Sequence, residues 1–160
     1  MSRTKALMLG SSMLVATAFV ASPAFAQVDE IVITTQKKES TLLDTPVAVT
    51  AVSEKQMEQS AIKNVQDLQF LTPSLNVYQQ SGAGVVGFAI RGIGTSSDNI
   101  GLEPSVGVFV DGVYKSRQSA SINDFISLDR VEVIRGPQST LYGRNTPAGV
   151  ISYTTKLPSD

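Results

Sequence analysis

Apolar and polar residues alternate with a period of two along several short stretches, each bounded by glycine or proline. Pro46 to Val52 (PVAVTAV) alternates and predicts a strand. Leu75 to Tyr78 and Val85 to Arg91 (VVGFAIR) predict two more. Ser81-Gly82-Ala83-Gly84 forms a flexible turn between them, and Gly92 ends the second. Val106 to Val110 (VGVFV) predicts a fourth strand, and the Asp111-Gly112 that follows is a hairpin or strand-end signal. The most punctuated stretch is Asp129 to Lys156. Val131 and Val133 alternate there with Arg130, Glu132 and Ile134, as in a strand with one buried face. Gly136-Pro137 breaks that strand, and Pro137 suits the first position of a short helix, where a missing N–H is harmless. Gly143 can close the helix with positive φ before a last strand begins.

Two helices are predicted as well. Ser53 opens a helix running to about Ser60, and Ser53 and Gln56 have capping-box spacing. Asn64 is placed to cap a second helix that carries Val65, Leu68 and Leu71 on one face, with Asp67 in its first turn and Pro73 as its stop. Gly94 to Asn99 and Tyr114 to Ser121 are polar and loop-like, whereas Ile122, Phe125 and Ile126 suggest a short helical turn. This order of elements predicts an α+β domain built on a small mixed sheet. The triplet Ile90-Arg91-Gly92 recurs as Ile134-Arg135-Gly136, but without matching flanks it does not make a repeat architecture.

The N-terminus has a different logic. Arg3 and Lys5 precede a mostly apolar run, Ala6 to Ala21, and Ala24-Phe25-Ala26 has the small-x-small form of a cleavage site. That is the pattern of a secretory signal peptide over 1–26. The apolar run falls short of the roughly 18 to 20 residues of a spanning helix. Residues 27–45 then form a hydrophilic extension that holds one β-branched patch, Asp29-Glu30-Ile31-Val32-Ile33-Thr34-Thr35. The patch reads equally as an edge strand of the domain or as a tail that a partner captures by adding it to a sheet edge.

Composition narrows the chemistry. The 160 residues contain no His and no Cys, which excludes zinc sites of the usual type, thiol nucleophiles, Ser-His-Asp triads and disulfides. No Asp-rich loop has calcium spacing. The formal net charge is −1, with no basic stripe, so nucleic acid is not an expected partner. No cofactor is expected, and a shape-defined binding or plugging module is a better reading than an enzyme.

Taken together and in order, the motifs resemble the N-terminal part of a TonB-dependent outer-membrane receptor. Asp29 to Thr35 resembles the TonB box, the segment captured by the energy-coupling protein TonB. Pro46 to Lys156 resembles the plug domain, through Ile90-Arg91-Gly92, through Val108-Phe109-Val110-Asp111-Gly112-Val113, and through Arg130 to Pro137 continuing to Leu141-Tyr142-Gly143. One departure concerns the approach to the last strand. The family commonly places two adjacent glycines there, where this chain has Pro147-Ala148-Gly149.

The resemblance implies an exported protein of the Gram-negative outer membrane that takes up a scarce nutrient such as a ferric siderophore. It implies TonB-binding residues Glu30, Ile31, Val32, Ile33, Thr34 and Thr35. It implies ligand contacts at Gln80, Ser96, Tyr114 and Arg117, and it places Arg91 and Arg135 against acidic residues of a surrounding barrel. On this reading the plug occupies 46–157 and residues 158–160 begin a linker. A plugged barrel of about 22 strands, each needing roughly 9 to 11 residues, requires on the order of 200 further residues. The chain is therefore expected to be a fragment or a truncated product. The alternative reading is a free-standing periplasmic binding module that keeps the fold without transport.

Overall fold

A computed structural model describes residues 32–33, 40–41, 46–79, 86–95, 101–118 and 127–158. The signal peptide, the turn at Ser81–Gly84 and the helical turn around Phe125 lie outside the described residues, as do Glu30, Ile31, Thr34, Thr35, Gln80 and Ser96.

Two short strands, β1 (Val32–Ile33) and β2 (Ser40–Thr41), form an antiparallel pair of their own. The domain proper begins at β3 (Ala48–Ser53) and α1 (Glu54–Gln59). Ser53 and Gln56 make the anticipated reciprocal cap, with the Gln56 N–H donating to Ser53 Oγ and the Ser53 N–H donating to Gln56 Oε1. The second helix is shorter than its apolar spacing suggests. Only α2 (Leu68–Leu71) is helical, and Asn64 caps a turn before it by accepting from the Asp67 N–H. The Asp67 carboxylate in turn accepts from the Lys63 and Asn64 N–H groups. Local side-chain bonding has displaced the first helical turn here, as Asn and Asp commonly do.

Next come β4 (Leu75–Gln79), β5 (Val86–Ile90) and β6 (Ile93–Gly94), which form a three-stranded antiparallel sheet. The strand anticipated over Val85 to Arg91 stops at Ile90. Arg91 (φ 54°) and Gly92 (φ 78°) are instead the two central residues of a tight hairpin. β7 (Val106–Val110) and β8 (Val113–Lys115) form a second such hairpin through Asp111 (φ 49°) and Gly112 (φ 78°). Positive φ at both central residues is the type I′ geometry, whose twist matches that of the flanking strands. The part of the anticipated loop over Tyr114–Lys115 is thus strand, because the turn at Asp111-Gly112 returns the chain alongside β7.

β9 (Leu128–Arg135), α3 (Ser139–Tyr142) and β10 (Gly149–Thr155) follow. The larger sheet has the order β3-β9-β10-β7-β8 and is mixed, with β10 parallel to β7 and antiparallel to β9. Gly143 closes α3 with φ 92°, as anticipated, but Pro137 lies before the N-cap Gln138 instead of at the first helical position.

β9 has two buried faces, not one. Val131 and Val133 face the main core together with Val52, Ile151, Tyr153, Val106 and Val108, and the smaller sheet packs there through Leu75, Val86, Phe88 and Ile90. On the opposite face Ile134 packs with Phe109 and Val150, under Val49, Tyr114 and Tyr142. Glu132 lies on this second side, fully buried, and accepts from Arg130 Nε at 2.9 Å. An interior strand covered on both faces reads as a near-continuous apolar run, and the charged Glu132 disguised it as an alternating one. The α+β class with small mixed sheets and few short helices is borne out.

Candidate functional site

The two Ile-Arg-Gly triplets meet in space. β9 delivers Arg135 and Gly136 to the end of the larger sheet where Gly149 pairs with Arg135. β5 delivers Ile90 to the same place, so that a Cβ placed on Gly149 comes within 2.8 Å of Ile90 Cδ1. The Arg91-Gly92 turn follows, and Arg91 Nη1 lies 3.8 Å from the position of a Cβ on Gly136. The Arg91 N–H donates to the Ser74 carbonyl at 2.9 Å, which fixes the turn beside the start of β4. The chain folds this way because Ile90 and Ile134 are both fully buried, and burying each strand end leaves the next residue, an arginine, at the rim.

The two arginines differ in setting. Arg91 is exposed, whereas Arg135 is half-buried and its Nε is enclosed with no hydrogen-bond acceptor among the described residues. A buried guanidinium N–H lacking an acceptor costs on the order of 1–3 kcal/mol or more. By contrast, Arg130 is paired with Glu132 and Asp129, and Arg144 with Glu103.

The other anticipated site residues do not join this pair. Tyr114 belongs to an aromatic cluster on the far face: its ring centroid lies 5.4 Å from Phe109, which packs 5.0 Å from Tyr142, and its hydroxyl accepts from Asn145 Nδ2 at 2.9 Å. Arg117 is exposed just beyond β8. Val32 and Ile33 form β1, which pairs with β2 and with neither larger sheet. Gln79, which precedes Gln80, pairs with Val86 at the opposite end of the β4–β5 hairpin from Arg91.

Sequence reasoning passed over Gln118. It is almost fully buried, accepts from the Phe88 N–H at 3.3 Å through Oε1 and donates to the Val106 carbonyl at 3.1 Å through Nε2. One amide therefore ties the smaller sheet to the larger. A polar residue in a polar stretch gives no sign of this. Asp111 was read only as a turn residue, yet its carboxylate also accepts from the Thr155 N–H at 2.8 Å and from the Thr155 hydroxyl at 2.9 Å. That clamps the β7–β8 turn to the end of the last strand. No group of three or more His, Cys, Asp or Glu side chains suited to a metal occurs among the described residues.

The chain is similar to known receptors and transporters. It is 29% identical to the pesticin receptor of Yersinia pestis over 99% of its own length and 23% of that protein. It is 32% identical to the vitamin B12 transporter BtuB of Vibrio cholerae over 84% of its length and 22% of that protein. The chain thus spans less than a quarter of these relatives. Among solved structures, the ferric yersiniabactin uptake receptor FyuA from Yersinia pestis superposes with a TM-score of 0.62 at 28% identity, over 70% of this chain and 17% of that one. The ferripyoverdine receptor of the outer membrane of Pseudomonas aeruginosa shares the fold, with a TM-score of 0.63 at 22% identity over 80% of this chain and 16% of that one. The family described as TonB-dependent Receptor Plug Domain matches residues 41–150, and the chain belongs to it.

Proposed function

We propose that this chain is the plug of an outer-membrane receptor that imports a scarce nutrient, an iron–siderophore complex in the first instance, and that TonB drives it by capturing Glu30 to Thr35. The observation that carries the reading is the match of residues 41–150 to the plug-domain family. Arg91, exposed at the rim, and the half-buried Arg135 are proposed to face carboxylates of a surrounding barrel wall. Gln80, Ser96, Tyr114 and Arg117 are the proposed ligand contacts. Arg117 offers an exposed guanidinium, and Tyr114 offers a ring whose hydroxyl is already engaged. The work of such a plug is mechanical and electrostatic, with no covalent step. Residues 1–26 act as a cleaved export signal.

The test is uptake of labelled ferric siderophore by iron-starved cells carrying the full-length receptor. Uptake is expected to require TonB and to fall when Ile31 or Val32 becomes proline, because proline removes a donor from an added strand. Uptake that persists in cells lacking TonB overturns the reading.

A further inference from the structure

Strand β4 has a paired side and an open side, and its hydrogen bonds fix which residues serve each. In an antiparallel ladder, successive residues turn their N–H and C=O groups alternately toward the partner and away from it. Ser74 stands opposite Arg91, one step beyond the Leu75–Ile90 pair, and the Arg91 N–H donates to the Ser74 carbonyl. Ser74 therefore turns toward β5 and Leu75 away from it. The alternation continues with Asn76 and Tyr78 toward β5, and Val77 and Gln79 away. Two further bonds agree. The Leu75 N–H donates to the Thr72 carbonyl at 3.3 Å, and Phe88, opposite Val77, gives its N–H to Gln118. Among the described residues the outward N–H and C=O groups of Val77 and Gln79 have no partner.

The same two residues line a groove of about 500 Å³, together with Asn64 and Gln66 from the turn before α2. No charged side chain lines it. Asn64 Oδ1 accepts from the Asp67 N–H at 3.0 Å, which leaves its Nδ2 group to donate elsewhere. The side-chain amides of Gln66 and Gln79 make no hydrogen bond among the described residues. One side of the groove thus offers backbone groups at every second residue, and the other offers amides that donate and accept. A ligand matching both sides carries donors and acceptors along two edges, as an extended peptide does. A charged segment would lose hydration there and gain no counter-charge. We propose that β4 and the Asn64–Gln66 turn form a docking slot for an extended, uncharged peptide segment of a partner protein. The segment adds to β4 as an outer strand through Val77 and Gln79, and Asn64 and Gln66 hold its far edge.

The test is amide hydrogen exchange, resolved by residue, on the full-length protein with and without the blocked peptide acetyl-Thr-Val-Thr-Val-Thr-amide. Saturating peptide is expected to slow exchange at Val77 and Gln79 at least about tenfold and to change Asn76 and Tyr78, already bonded to β5, less than about twofold. The same peptide N-methylated at every residue lacks its donors and is expected to bind at least about tenfold more weakly. Val77→Pro removes an outward N–H from an edge strand, where proline is tolerated, and is expected to weaken binding about threefold or more. Gln66→Leu leaves β4 untouched and is expected to weaken it to a similar degree, which covers the case where proline disturbs the strand. Uniform slowing from Leu75 to Gln79, no slowing at all, or equal binding of the methylated peptide overturns the proposal. Slow exchange at Val77 and Gln79 before any peptide is added overturns it too, because the protein's own chain then fills the slot.

Discussion

Replacing Gly149 by alanine tests what holds the two sheets in register. Gly149 has φ 153°, a region that residues with a Cβ rarely adopt. The new methyl group would meet the Ile134 carbonyl oxygen well inside van der Waals contact and Ile90 Cδ1 at 2.8 Å. Ordinary carbon contacts lie at about 3.5 to 4.0 Å, so the neighbours must retreat by roughly 1 Å. Neither is free to do so. Ile134 sits in β9, hydrogen-bonded to β3 on one side and β10 on the other, and Ile90 is fully buried. Overpacking costs about 1–3 kcal/mol and the backbone strain adds about 1–3 kcal/mol, so the variant is expected to lose about 2–6 kcal/mol. With a urea m-value of about 1.5 kcal/mol/M, 3 kcal/mol moves the unfolding midpoint by about 2 M. The control is Ala148→Gly, which restores the paired glycines common in the family. Ala148 is buried but has no positive φ, so the added freedom of glycine is expected to cost only about 0.5–1 kcal/mol. A urea titration in which Gly149→Ala shifts the midpoint no more than Ala148→Gly would refute the reasoning.

Gln118→Leu strands the buried Phe88 N–H and Val106 carbonyl; a loss of about 2–5 kcal/mol is expected from two unsatisfied groups, and an unchanged urea midpoint would show that the amide is not the tie between the sheets. Asp111→Ala removes both bonds to Thr155 and places alanine at φ 49°, for an expected loss of about 1–3 kcal/mol, whereas Asp111→Asn is expected to keep at least half of that because Asn tolerates the left-handed region. Burial and the nearby Glu132 charge push the Tyr142 phenol from 10.0 up to about 12, and burial alone raises fully buried Tyr153 further. Both phenols keep their protons in the folded chain after the unfolded chain has given them up, so their contribution is complete below about pH 10 and drains away as the pH rises toward 12. Phenolate absorbance should therefore rise late and together with unfolding, and Tyr142→Phe should flatten the alkaline loss of stability; an alkaline stability curve identical to the parent's would rule the residue out.

Most of the elements were legible in the chain because their signals are local. The Ser53–Gln56 cap, the Asp111-Gly112 turn and the Gly143 stop each depend on residues within a few positions, and all three appear as read. What escaped depends on partners distant in sequence. Strand β8 exists because β7 lies beside it. The double burial of β9 exists because α3 and Tyr114 cover one side and the smaller sheet the other. Arg91 in a type I′ turn violates local preference, since arginine has no special tolerance of positive φ; the burial of Ile90 and the bond to Ser74 enforce it. Arg91 and Arg135 could be singled out from the resemblance, but their meeting at Gly136 required the fold.

The strand order of the larger sheet also governs how the domain comes into being. Chains emerge N-terminus first. Among the described residues β3 has only β9 as a neighbour and β7 has only β8 and β10, and β10 follows the other four strands of this sheet in sequence. When β3, α1 and the smaller sheet have emerged, the larger sheet has no interior. β3 waits with both edges bare until β9 arrives, and the β7–β8 hairpin waits for β10. The two buried faces of β9 close only when Gly149 to Thr155 threads between Arg135 and Val106. A molecule halted before residue 149 is thus a set of exposed strand edges, the kind of surface that invites aggregation, and the seven-residue strand β10 turns it into a domain.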